Sequence, residues 1–499
     1  MNFQLIDWII LIAYLGLSVF VGIWAKKYVE NMEGYFVAGR RIRPALGTAT
    51  LIATEIGIVT FMYLGELGYV TGFSCFWLGI NGVIGYLVIG KTGFIVSMLR
   101  RLKVMTIPEF YEIRFNKRVR LLGGILLFLG GVLNMGVFLK MDGLFLTETM
   151  GFGPEVLTAV MVVMLVIVIS YTVLGGMFSV VVTDFIQFVI LSAGMLIATL
   201  FILAHVSLTD VATAVTTNFG EAGVNPIVNP RFGWTFLIWI LLGSVGASAL
   251  NQPATTKSLA SENAEAGRKI FLFAGITLAG RYIIPMFWGA AALAVLGPGL
   301  NPTTAMPKLL SAVVPSGLLG LMIAGMLAAS MSTYSAYLLA WSSVASRDII
   351  SPLSPRPLSE KTMMLLSRII SILIGLFILV FGLWYEIPAT AFQYIAITGA
   401  MYAAGAFGCI AFGLYWKKAN TIGAYYSLAL GAFAPLAFLI LDQLKGYLPE
   451  NILWLVDVNI SGFLSFVLAS AGMVVGSLLT QKTHPPIPLD LEEEQGGNV

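Results

Sequence analysis

The chain has 499 residues, 58% hydrophobic and only 11% charged, with a mean hydropathy of +0.91. Soluble chains of this length carry about 25% charged residues, so a soluble enzyme of two or three domains is excluded. The net charge of +3 is too small to point to nucleic acid. Cys75 and Cys409 lie singly in apolar stretches, and His205 and His484 lack ligand-spaced neighbours, which removes the commonest disulfide, metal and hydrolytic chemistries.

Apolar stretches of the roughly 20 residues that a membrane helix needs recur along nearly the whole chain, which predicts an all-α polytopic membrane protein. Thirteen spans are expected, near 8–25, 45–70, 72–97, 121–148, 155–174, 176–205, 233–250, 270–296, 315–346, 362–383, 388–413, 420–440 and 457–481. The first has its basic residues, Lys26 and Lys27, after the apolar run and no small-residue cleavage site, so it reads as a retained helix. With the N-terminus outside, 21 of the 28 basic residues, Lys257 among them, fall in inside loops, against Arg231, Lys308 and Lys445 outside. That asymmetry predicts a cytoplasmic C-terminus in a plasma (inner) membrane. The segment 104–118 alternates apolar and charged residues as an interfacial helix would. The tail after Gln481, with its prolines and then Asp490, Glu492, Glu493 and Glu494, reads as extended and solvated, without an appended soluble domain.

Interrupted helices are where transporters bind solute and ion. The second span carries Ala53-Thr54-Glu55-Ile56-Gly57, and the seventh carries Gly243-Ser244-Val245-Gly246-Ala247-Ser248. Each opens a group of five spans, 45–205 and 233–413, and an odd number per group inverts one group relative to the other. This divides the chain into a leading helix and loop (1–44), a first repeat (45–205), an extracellular loop (206–232), a second repeat (233–413), two further helices (414–481) and a tail (482–499). In the span 315–346, Ser332, Thr333 and Ser335 place hydroxyls on more than one helical face, as hard ligands for a hard cation such as sodium. Charges deep in lipid are costly and functional by default: Glu55, Lys140, Asp142, Asp184 and Arg281 are the candidates. Lys140 and Asp142 are expected to neutralise each other or close neighbours, whereas Arg281 needs a cavity or an acid.

The strings YFVAGR (35–40), TIPEFYEIRF (106–115), YTVLGGMFSVVVTDFIQFVIL (171–191), NQPATTKSLASENAEAGRK (251–269) and GLYWKKAN (413–420) resemble the sodium:solute symporter family. The resemblance implies a leucine-transporter-type fold of two inverted five-helix repeats and Na+ as the coupling ion. It also implies a main sodium site from the carbonyls of Ala53, Ile56 and Ala329 and the hydroxyls of Ser332 and Thr333. Asp184 matches an acid near the sodium path that joins a second sodium site in some members. Ser335 suits that role, but Ala336 stands where those members have a serine. Glu55 matches an acid beside the ion site, and Arg281 a solute-binding lysine of sugar-transporting members. Sugar-site features are absent, since residues 243–250 hold no tyrosine and Ala396 stands where a glutamine would be.

The expected function is therefore sodium-coupled symport of a small polar solute, a carboxylate or zwitterion held by Arg281 and Glu55. The alternatives are proton coupling through Glu55 and a solute sensor. No enzymatic activity and no obligate protein partner are expected, the partners being solute, sodium and lipid.

Overall fold

A computed structural model describes residues 3–25, 32–386 and 390–489. Lys26, Lys27, the start of the 388–413 span and the acidic tail lie outside the described residues. The chain runs α1 (Leu5–Ala25), α2 (Met32–Val37), α3 (Pro44–Glu55), α4 (Ile58–Thr71), α5 (Phe76–Thr92), α6 (Val96–Arg101) and α7 (Ile107–Arg114). There follow α8 (Lys117–Met135), α9 (Phe138–Met150), α10 (Leu157–His205), α11 (Leu208–Phe219), α12 (Gly233–Ser248), α13 (Gln252–Leu259) and α14 (Ala264–Leu296). The remainder is α15 (Pro302–Val313), α16 (Leu318–Val344), α17 (Ser351–Leu353), α18 (Glu360–Trp384), α19 (Ala391–Tyr415), α20 (Thr421–Gln443) and α21 (Val458–Leu479). Among the described residues the only β-pairing is an isolated bridge between Ile42 and Ser261.

Nine helical segments among the described residues are long and apolar enough to cross a membrane, and three apolar stretches, Leu5–Ser18, Pro154–Ser170 and Gly233–Gly246, are shorter. The thirteen predicted spans map unevenly onto these. The spans 155–174 and 176–205 are joined in α10, which stays helical through Gly175 and Gly176. Both glycines keep the N–H that continues a helical ladder, so a glycine pair permits a bend without ending the helix.

The span 45–70 is broken where its glycine stands. Ile56 (φ −112°, ψ 96°) and Gly57 (φ −112°, ψ 168°) are extended between α3 and α4. A Cβ on Gly57 would lie 2.8 Å from Thr333 Oγ1, so glycine is what lets α16 approach the break. The second break falls later than expected. Residues 243–248 remain helical, and the chain leaves the helix between Ser248 and Gln252. Pro253 explains the position: it cannot donate to the Ala249 carbonyl, which accepts instead from Thr255 Oγ1 at 2.9 Å.

Close backbone approaches hold the helices around these breaks. A Cβ on Gly289 of α14 would sit 2.0 Å from the Gly65 carbonyl oxygen of α4, and one on Gly68 2.0 Å from that of Met286. Without a hydrophobic drive between helices in lipid, such small-residue contacts supply the packing. Further along, Arg120 of α8 bridges Glu112 (2.7 Å), Glu109 (3.4 Å) and Asp348 (2.7 Å), and Arg347 also meets Glu109. The segment 104–118 packs much of its surface inward. Ile107, Phe110, Tyr111 and Arg114 of α7 are buried, and Arg114 Nε donates to the Gly413 carbonyl at 2.8 Å.

Candidate functional site

Between the two breaks lies a cavity of about 250 Å³. Its walls come from α3 and α4 (Thr54, Glu55, Thr60, Tyr63), α5 (Tyr86), α12 (Trp239, Ser244, Ser248) and the second break (Asn251). The rest come from α14 (Arg281, Tyr282), α16 (Thr333, Tyr337) and α19 (Phe392, Ala396, Tyr402). The lining thus combines aromatic rings with convergent polar groups, as small-molecule sites commonly do.

Glu55 and Arg281, singled out as lone charges in separate spans, meet in this cavity. Arg281 Nη1 donates to Glu55 Oε2 at 2.6 Å, with each side chain 8% exposed. Glu55 is the last residue of α3, where the helix dipole presents its negative end and disfavours a carboxylate, so the acid needs the guanidinium. Asn251, the cap of α13, donates through Nδ2 to Glu55 Oε1 at 3.3 Å and to Tyr337 OH at 3.4 Å. The Arg281 guanidinium also stacks 4.9 Å above the centroid of the Tyr282 ring. Two polar atoms at the pair are buried and have no hydrogen-bond partner among the described residues: Arg281 Nε, a donor, and Asn251 Oδ1, an acceptor.

Beside the first break, α16 faces the loosened backbone with hydroxyls. Thr333 Oγ1 donates to the Thr54 carbonyl at 3.1 Å and to the Ala329 carbonyl at 3.0 Å, while Ser330 Oγ accepts from the Ile58 amide at 3.0 Å and so caps α4. Ile56 lies in the break and Ala53 three residues before it, while Thr333 links the Thr54 and Ala329 carbonyls beside it. Ser332, one residue before Thr333, turns its hydroxyl proton to Asp184 Oδ1 at 2.5 Å. Asp184 also accepts from Thr50 Oγ1 and, at 3.2 Å, from Lys257 Nζ. Ser335 is not on Asp184, since its hydroxyl donates to the Ser332 carbonyl at 3.0 Å.

Two expectations change. Lys257 is not a loop residue marking topology: it lies on α13, with its side chain and that of Asp184 both fully buried. Lys140 and Asp142 do not neutralise each other, because residues two apart on a helix point in different directions. Lys140 Nζ donates to the Tyr385 carbonyl at 2.7 Å, and the buried Asp142 carboxylate faces the Ser330 and Tyr334 hydroxyls and the Val59 amide. Sequence reasoning also missed Asn251 and the tyrosines of the cavity. Asn251 had a signal, being polar and two residues before a proline.

The sodium:solute symporter family matches residues 35–431. The chain belongs to the sodium:solute symporter family. Among the symporter's relatives, the sodium/sialic acid symporter SiaT of Proteus mirabilis is 25% identical over 87% of this chain and 90% of its own. The sodium/proline symporter of Haemophilus influenzae is 25% identical over 95% and 94%. In fold, the symporter resembles a sodium-coupled sialic acid symporter solved in a substrate-bound outward-open state, with a TM-score of 0.78, 21% identity and coverage of 96% of this chain and 98% of that one. Mhp1, a nucleobase-cation-symport-1 transporter, is more distant, with a TM-score of 0.55 and 15% identity over 90% of this chain and 95% of its own. The chain is therefore an integral membrane symporter of small organic solutes, with sodium as its coupling ion.

Proposed function

We propose that this symporter imports a small zwitterion whose carboxylate lies on Arg281 and whose ammonium lies between Glu55 and Asn251 Oδ1. The observation that carries this reading is the Glu55–Arg281 pair lining the cavity, with one unused donor and one unused acceptor beside it. An isolated arginine would favour any carboxylate, but here the guanidinium already has a counter-ion. A simple monocarboxylate that took Arg281 would leave Glu55 without a counter-ion, and uncompensated buried charges cost about 3–5 kcal/mol. A zwitterion opens the pair and satisfies both halves. Its own charges cancel, so the cavity stays neutral. The same pairing argues against Glu55 as a free proton carrier.

Sodium, carried as cargo, is assigned to the first break, with the carbonyls of Ala53, Ile56 and Ala329 and the hydroxyls of Ser332 and Thr333 as ligands. Oxygen donors of this kind suit a hard cation, and Thr333 already bridges α16 to the Thr54 carbonyl. Glu55 ends the half-helix that supplies part of that ligand set, so an ion that fixes the break also fixes the acid. By linkage, solute then raises sodium affinity by the factor with which sodium raises solute affinity. The inverted repeats 45–205 and 233–413 place one break in each half, as alternating access around a shared site requires. The excess of basic residues in alternate loops assigns the N-terminus to the outside and the C-terminus to the cytoplasm.

Thermal melting of the purified protein, with amino acids, monocarboxylates and sugars each tested in sodium and in potassium, examines this reading. A zwitterion that raises the melting temperature in sodium alone is expected, since ligand at 100 times its Kd stabilises by about 2.7 kcal/mol. Monocarboxylates that stabilise as strongly as the best amino acid would refute it.

A further inference from the structure

The second buried ion pair lies outside the cavity and is not used by the solute. Asp184 of α10 is fully buried, and both carboxylate oxygens are engaged: Oδ1 by the Ser332 hydroxyl at 2.5 Å, Oδ2 by the Thr50 hydroxyl and by Lys257 Nζ at 3.2 Å. Lys257 is equally buried, and its ammonium also contacts Met177 Sδ at 3.8 Å. A carboxylate flanked by two hydroxyls in a dry interior is a fitting place for a small cation. In this chain the cation is already there, attached to α13.

We infer that the Lys257 ammonium is a built-in cation at Asp184, so that this carboxylate takes no transported sodium and the protein holds a single sodium, at the first break. Adding a sodium would give the site a net positive charge, and a net charge without a partner is strongly disfavoured where water is excluded. The tethered cation also acts on the remaining site. Asp184, balanced by Lys257, accepts the only hydroxyl proton of Ser332, which leaves that oxygen's lone pairs for sodium. Thr50 and Lys257 further join α3, which ends at the first break, and α13, which begins after the second, to α10 and α16 through Asp184.

Equilibrium binding of radioactive sodium to the purified full-length protein in nanodiscs tests this without knowledge of the solute. The wild type is expected to bind one sodium per chain. K257M, which leaves a carboxylate and two hydroxyls without a cation, is expected to bind two. K257R keeps the charge and stays at one, and the neutral pair K257M/D184N returns to one. Two sodium ions per wild-type chain, falling to one in K257M/D184N, would overturn the inference, and so would a folded K257M that still binds one. If K257M does not fold, the comparison of wild type with K257M/D184N decides alone, since equal counts of one support the inference and a fall from two refutes it.

Discussion

The two buried ion pairs of this protein have the same charges and opposite characters. Glu55–Arg281 borders a cavity, and although Glu55 accepts from both Arg281 and Asn251, Arg281 Nε and Asn251 Oδ1 are left unused at its edge. Asp184–Lys257 is sealed, and both of its carboxylate oxygens are engaged. A pair meant to be opened by a ligand must be incomplete, because every satisfied group is one the ligand cannot reward. A pair meant to persist must be complete, because low dielectric makes each missing partner expensive. The difference teaches that partner count and access to a cavity, more than charge or burial, separate a binding site from a fixture.

Breaking the sealed pair has the largest expected effect. Asp184→Asn leaves an ammonium in a dry site and should destabilise the protein by about 3–5 kcal/mol, with most of it recovered when Lys257→Met is added. Melting of the two variants checks this, and a mild Asp184→Asn would erase the distinction between the pairs. Opening the cavity pair should instead be felt in binding. The neutral double change Arg281→Gln with Glu55→Gln is expected to weaken solute binding by about 2–5 kcal/mol, a factor of about 30 or more, while the ligand-free melting temperature moves far less than in Asp184→Asn.

The smallest effect belongs to a third pair, Arg347–Glu109, whose side chains are 12% and 13% exposed. Burial pushes the Glu109 carboxyl up, but Arg347, the Met105 amide and Arg120 outweigh it and hold the carboxyl below its ordinary value. A lowered carboxylate contributes stability that is present above its unfolded value of about 4.3 and is lost as pH falls through its folded value. Glu109→Gln should therefore cost about 1 kcal/mol near neutral pH and flatten the acid side of the melting profile. An unchanged acid limb would remove Glu109 from the comparison.

Much of the cavity was legible in the sequence because charge is so scarce. Glu55 and Arg281 stood out in spans that are otherwise apolar, and Gly57 marked the first break correctly. Lys257 was not legible for the opposite reason. It sits in the polar string 251–269, which reads as a loop, and its acid lies 73 residues away on another helix. The tyrosines of the cavity were hidden by their company, since Tyr63, Tyr86, Tyr282, Tyr337 and Tyr402 occur in apolar helices where aromatic rings usually pack. The second break was misplaced because glycine and serine at 243–248 weaken a helix, whereas the missing N–H of Pro253 interrupts its ladder.

The glycine contacts between α4 and α14 have a mechanical meaning. Two backbones with no room for a methyl group between them cannot slide, so these helices form one lever that carries Tyr63 and Arg281 at a fixed spacing. Any motion that exposes the cavity is then best absorbed where the helices are already interrupted, at residues 56–57 and 249–251. Those fulcrums carry or adjoin Glu55 and Asn251. On the proposed assignment, the molecule grips its cargo at its own joints.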